Sequence, residues 1–237
     1  VVIVKPAEDT PLSCIKIVEM LLESGLPENR CYFCMPENLK LAEKLVSDER
    51  IDFFSFIGSA KIGWMLRSKL SPGTRCALEH GGMAPTFLTE STNLDIASKL
   101  LIKGGFYHAG QVCVSVQRVF VQKNIFDDFL SIFEKNLKPL KIGNPLDKKT
   151  EVGPLIRPSE VDRVQEWVNE SISAGTTVLC GGNRISETCF DKTVLINPKF
   201  SDKVSKMEIF GPVVNIYSYN DINKAIEIAN DTNVSFQ

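Results

Sequence analysis

The stretch Ile51-Asp52-Phe53-Phe54-Ser55-Phe56-Ile57-Gly58-Ser59 decides the fold. Its first seven residues are rich in Phe and Ile and read as a strand. The strand runs straight into a Gly-Ser corner and then a helix carrying Ile62, Met65, Leu66 and Leu70 at helical spacing. Similar units lie on either side. A buried strand is expected over 1–4. Thr10-Pro11 then opens a helix bearing Ile15, Val18, Leu21 and Leu22, stopped by Gly25 and Pro27. A strand over 31–34, a helix over 39–46 and a strand over 74–79 complete the series. The β-α-β-α-β-α-β order predicts a parallel sheet with crossover helices.

The rhythm changes after Gly81-Gly82. A helix is expected from about residue 93 to 107, then an extended strand over 114–122 and a helix over 125–137. Ser159 is expected to cap a helix bearing Val161, Val164, Val168 and Ile172. Short strands follow near Val178, Val194 and Val213. A last helix with Ile222, Ala225, Ile226 and Ala229 on one face ends near Asn230. Two domains with a seam near residue 80 are expected.

Composition narrows the function classes. Of 237 residues, 27 are basic and 29 acidic, a net charge of -2 that argues against a nucleic-acid partner. No apolar run reaches the roughly 18 residues of a membrane helix. Seven cysteines, an odd number without a signal peptide, point to a reducing, cytoplasmic setting rather than a disulfide framework. Cys31-Tyr32-Phe33-Cys34 is formally a C-x-x-C. It lacks a second pair and lies on a strand, where residues three apart face opposite ways, so no metal site is expected. A strand from residue 1, no initiator Met and a stop soon after the last helix read as a fragment.

Several small constellations can carry chemistry. Gly58-Ser59 ends a strand and opens a helix, where backbone N–H groups can hold a pyrophosphate, although the full G-x-G-x-x-G spacing is absent. Lys5 and Glu8 follow the first strand, at the ligand edge of a parallel sheet. A carboxylate there can accept from ribose hydroxyls and repel an extra phosphate; the plain alternative is two solvated loop charges. Glu79 ends an apolar strand and can serve as a general base or as an ordinary loop carboxylate. Cys113 lies in the turn Gly110-Gln111-Val112-Cys113, which can expose a thiol beside backbone N–H donors. The alternative is a buried small hydrophobe. His108 stands five residues earlier, about 140° around a helix from Cys113, so a Cys–His dyad has no local support. Glu208-Ile209-Phe210-Gly211-Pro212 taken alone is an ordinary turn leading into a strand.

Taken in order, these motifs resemble one family, the aldehyde dehydrogenases. The resemblance rests on Lys5-Pro6-Ala7-Glu8-Asp9-Thr10-Pro11, Phe56-Ile57-Gly58-Ser59, Leu78-Glu79-His80-Gly81-Gly82, Gly110-Gln111-Val112-Cys113, Glu151-Val152-Gly153-Pro154-Leu155-Ile156 and Glu208-Ile209-Phe210-Gly211-Pro212. It implies an α/β fold, with a partial Rossmann-like NAD-binding domain over 1–80 and an α/β catalytic domain over 81–237. It implies Cys113 as the nucleophile that forms a thioester and Glu79 as the base that activates the hydrolytic water. It places Lys5 and Glu8 at the adenosine ribose, Gly58 and Ser59 at the pyrophosphate, and Glu208 and Phe210 at the nicotinamide ribose and ring. The cofactor implied is NAD rather than NADP, the substrate a small aldehyde, and the full-length form a homo-oligomer. Glu79 favours release of a free acid over transfer to coenzyme A.

The sequence departs from the family pattern at Ile57, usually Thr, at His80, usually Leu, and at His108, often Asn. The family's second oxyanion donor, an Asn, has no counterpart here, and losing one such donor typically costs about 100- to 1000-fold in rate. A weak or inactive chain is therefore expected. Two other readings stand beside the dehydrogenase: a non-catalytic remnant, and a cysteine hydrolase or transferase using Cys113 and His108.

Overall fold

The computed structural model describes residues 1–234 and divides into two compact units, Val1–Glu79 and His80–Gln237. In the first unit, strand β1 (Val2–Val4), helix α1 (Leu12–Glu23), β2 (Cys31–Phe33), α2 (Leu39–Val46), β3 (Phe53–Ile57), α3 (Ala60–Arg67) and β4 (Arg75–Glu79) follow in order. The strands form two parallel pairs, β1 with β2 and β3 with β4. In the second pair Ile57 lies opposite Glu79. Strand β1 was expected to be buried. Instead Val2 is 57% and Ile3 41% exposed, and among the described residues β1 pairs on one side only.

The second unit holds most of the core. It contains β5 (Pro85–Leu88), α4 (Leu94–Phe106), β6 (Arg118–Gln122), α5 (Phe126–Leu137), α6 (Pro158–Ser173), β7 (Thr177–Cys180), β8 (Thr193–Ile196), α7 (Lys203–Lys206), β9 (Val213–Tyr219) and α8 (Ile222–Asn230). Its sheet runs β5-β6-β9-β8-β7, parallel except for the β7–β8 pair. Both faces of the centre are covered, so the middle of β6, Val119-Phe120-Val121, is apolar on both sides. Val119 and Val121 of β6 and Val214 and Ile216 of β9 join a core with α4, α5 and α6. Phe120, Tyr217 and Tyr219 pack instead with Ala225 and Ala229 of α8. Helix α5 buries Phe126, Phe129, Phe133 and Leu137 at spacings of three and four, one stripe of a 3.6-residue repeat.

Local signals explain the boundaries. Asn93 caps α4 by accepting from Ile96 N–H at 3.1 Å, and Asp221 caps α8 by accepting from Asn223 N–H at 2.9 Å. Ser159 does not cap α6. The helix starts at Pro158 after Arg157, since a proline in the first turn sacrifices no helical hydrogen bond. The strand expected over 114–122 begins only at Arg118. Upstream, Ser115 N–H donates to Val112 O at 2.9 Å and Val116 N–H to Gly104 O at 3.1 Å, so the backbone there is spent on a turn and on the end of α4.

Candidate active site

The first unit gathers its candidate residues at the C-terminal ends of parallel strands. Lys5 follows β1, forms an ion pair with Glu8 and donates to Pro6 O at 2.9 Å. Gly58 follows β3, and its N–H donates to Glu79 O at 3.1 Å, carrying the β3–β4 ladder one step further. Ser59 occupies the N-cap of α3 in extended conformation, without a side-chain capping bond. The Glu79 side chain is exposed.

In the second unit the chain leaves α4 through a tight turn. His108, Ala109 and Gly110 all have left-handed backbones, with φ of 51°, 55° and 72°. A Cβ at Gly110 would lie 2.0 Å from Gly211 O, so conformation and space both demand glycine there. Gln111 ties the turn down. Its amide donates to His108 O at 3.1 Å and Pro154 O at 3.3 Å, and accepts from Ile156 N–H at 2.9 Å. Two motifs separated by more than forty residues are thus one structural feature. Cys113 closes this turn as a free, partly exposed thiol. The ring of His108 packs on Tyr107, with centroids 5.0 Å apart.

Glu208 reaches the same region from the segment between α7 and β9. Its carboxylate accepts from Gly82 N–H at 3.0 Å. It also lies flat across Gly81, where a Cβ would come within 1.8 Å of Oε2. Burial raises the Glu208 carboxyl above its ordinary value of 4.5, against the opposing pull of Gly82 N–H and the Arg163 charge. Phe210 is exposed and left-handed, with φ of 49°. Such a backbone costs on the order of 1–3 kcal/mol and persists only where neighbours impose it. Arg163 is one such neighbour. It donates to Ile209 O at 2.8 Å, pairs with Glu160 at 2.9 Å and stacks over Trp167 at 4.7 Å. Gly82, Gly110, Val112, Glu208 and Phe210 line one small cavity, so the cysteine turn and the Glu208 segment share a wall.

Lys5, Glu8, Gly58, Ser59 and Glu79 therefore belong to the first unit, and Cys113, Glu208 and Phe210 to the second. Sequence reasoning missed the buried polar side chains that hold the second group. Arg118 is 3% exposed and donates to Met83 O at 2.8 Å and Ala229 O at 3.0 Å. Gln117 is 4% exposed and addresses the Glu208 segment. The available signal was a polar pair at the head of an otherwise apolar strand. Among the described residues no cluster of His, Cys, Asp and Glu could hold a metal ion, and no helix is long and apolar enough to cross a membrane.

Comparison with known proteins agrees with this fold. The sequence model of the aldehyde dehydrogenase family matches residues 1–237. A 3-sulfolactaldehyde dehydrogenase of Priestia aryabhattai is 35% identical over 236 residues, covering 100% of this chain and 49% of the relative. A solved NAD-dependent aldehyde dehydrogenase from Sinorhizobium meliloti superposes with a TM-score of 0.92 at 27% identity, over 97% of this chain and 46% of its own. A solved E. coli NADP-dependent enzyme gives 0.92 at 31% identity, over 97% and 48%. The chain spans about half the length of the curated relatives it matches.

Proposed function

The chain belongs to the aldehyde dehydrogenase family, and on that premise we propose that it serves the oxidation of a small aldehyde to a carboxylic acid with a nicotinamide dinucleotide, NAD in preference to NADP. The observation that carries the reading is the shared wall of the Cys113 turn and the Glu208 segment, which puts a nucleophile loop beside a carboxylate suited to ribose hydroxyls.

Each unit carries residues suited to part of a dinucleotide. Gly81 leaves open the space that the Glu208 carboxylate fills. That carboxylate would accept from the nicotinamide ribose, with the exposed Phe210 ring beside the nicotinamide. Gly58, Ser59 and the start of α3 would meet the pyrophosphate. Lys5 and Glu8 would meet the adenosine ribose, where Glu8 disfavours a 2′-phosphate by charge repulsion. A bound nicotinamide would supply the hydride acceptor for the substrate carbon. Cys113 then acts twice. Its thiolate bonds to the aldehyde carbon while the Cys113 backbone N–H donates to the new oxyanion. After loss of the hydride, a thioester remains on its sulfur. Glu79 takes a proton from water, the hydroxide adds to the thioester carbon, and the C–S bond breaks to return the thiolate and release the acid.

Purified protein given NAD and a panel of short, long and aromatic aldehydes is expected to form reduced nicotinamide, followed by absorbance, and a Cys113→Ala control is expected to form none. Equal rates in the control would reject Cys113 as nucleophile. Turnover of acyl substrates without any nicotinamide would favour the hydrolase reading. Dinucleotide binding without turnover would move the chain to the non-catalytic class.

A further inference from the structure

We infer that Gln117 is a positioning residue for Glu208, fixing the backbone on both sides of it before any dinucleotide arrives; this rests on the proposed role of Glu208 at the nicotinamide ribose.

Residues 207–212 lie between α7 and β9, outside any helix or strand, so no repeating hydrogen-bond ladder fixes them. A primary amide offers two donors and an acceptor with two lone pairs. Gln117 spends them on this segment. Its Nε2 donates to Val204 O at 3.0 Å and Met207 O at 2.8 Å, and its Oε1 accepts from Ile209 N–H at 2.9 Å. Two of the three groups are the immediate neighbours of Glu208. Gln117 is itself anchored through its carbonyl, which accepts from Asn215 N–H of β9 at 2.8 Å. Asn215 also donates to Val204 O, at 2.6 Å, so the grip on Val204 is shared; Gln117 meets Met207 O and Ile209 N–H, while Lys203 O accepts from Met207 N–H and Arg163 donates to Ile209 O. The next residue, Arg118, holds Met83 O, one residue beyond the glycine whose N–H meets Glu208. Four and five residues after Cys113, Gln117 and Arg118 thus hold the backbone next to each partner of the Gly82–Glu208 hydrogen bond.

The test is a double-mutant cycle on the purified protein, read as the dissociation constant for NAD by quenching of intrinsic fluorescence. Glu208→Gln and Gln117→Leu are each expected to weaken binding about 10-fold, as loss of a hydrogen bond to a charged group does. If Gln117 acts through Glu208, the double variant binds no worse than Glu208→Gln alone. Multiplying losses would show a purely structural Gln117 and overturn the inference while leaving the ribose reading intact. An unchanged constant in Glu208→Gln would overturn both. Gln117→Met, closer in shape, replaces Leu where that variant folds poorly. A measurement on the unmodified protein decides the point independently. Slow hydrogen exchange at Ile209 N–H without dinucleotide is expected from a prefixed segment. Exchange that slows only when NAD is added would show that the ligand orders Glu208, and would overturn the inference.

Discussion

Gly81 and Glu208 show how much rests on a single missing methyl. The carboxylate lies where a Cβ at Gly81 would intrude, 1.8 Å from Oε2, so Gly81→Ala must push Glu208 aside. Dinucleotide affinity is expected to fall about 10-fold or more, the worth of a misplaced charge-assisted hydrogen bond, while the far-UV spectrum stays unchanged; titration with NAD checks both. The same carboxylate weakens the fold that holds it. An acid whose pKa is raised by burial binds its proton more tightly folded than unfolded. Its stabilising share is full below the unfolded value and is lost as pH rises through the folded one. Glu208→Gln is therefore expected to melt at a higher temperature than the parent at neutral pH, the difference closing as pH falls toward 4.5. Equal melting temperatures across that window would show that burial of the charge has no cost. Cys180 offers a contrast in thiols: burial pushes it up to about 11, which leaves it protonated and inert at neutral pH.

Between elements, the decisive contacts join segments remote in sequence. Gln111 links the cysteine turn to the Gly153-Pro154-Leu155-Ile156 segment through bonds to Pro154 O and Ile156 N–H. Gln111→Leu removes both and leaves the left-handed turn at 108–110 less supported. A loss of about 1–3 kcal/mol of stability is expected, from polar groups left unpaired, together with a changed alkylation rate at Cys113. Denaturant melts and iodoacetamide kinetics on the same preparation measure the two effects. Periodicity located α5 and α8 because their buried positions fall on one stripe. It overlooked β5, which opens on Pro85, a residue that argues against a strand, and α7, a single turn of four residues too short for a helical period to register. It also ran β6 too far upstream, where apolar Val114 and Val116 imitate a strand but the backbone turns back toward α4.

Across the molecule, the two units differ in what they bury. The large core cluster draws every member from 88 to 216, whereas the first unit buries little beyond Val18 and Cys31. Local stability follows buried apolar contact. Amides of β1 to β4 are therefore expected to exchange faster than those of β6, β8 and β9 under native conditions, by hydrogen exchange with mass spectrometry. Uniform protection would contradict that ordering. The sequence by itself determined the succession of elements apart from β5 and α7, the parallel strand–helix units and the family, because these are written in local spacing and in short ordered motifs. It also nominated Cys113, Glu79, Lys5, Glu8, Gly58 and Ser59 by the chemistry their types allow, and Glu208 and Phe210 through the family resemblance alone. Tertiary structure alone decided that Gly81 makes room for Glu208, that Gly110 must yield to the Gly211 carbonyl, and that Gln117, Arg118 and Arg163 hold the site's backbone. The physical reason is that each depends on hydrogen bonds and close approaches between residues tens of positions apart, and no local pattern of residue types encodes which distant carbonyl a buried amide will meet.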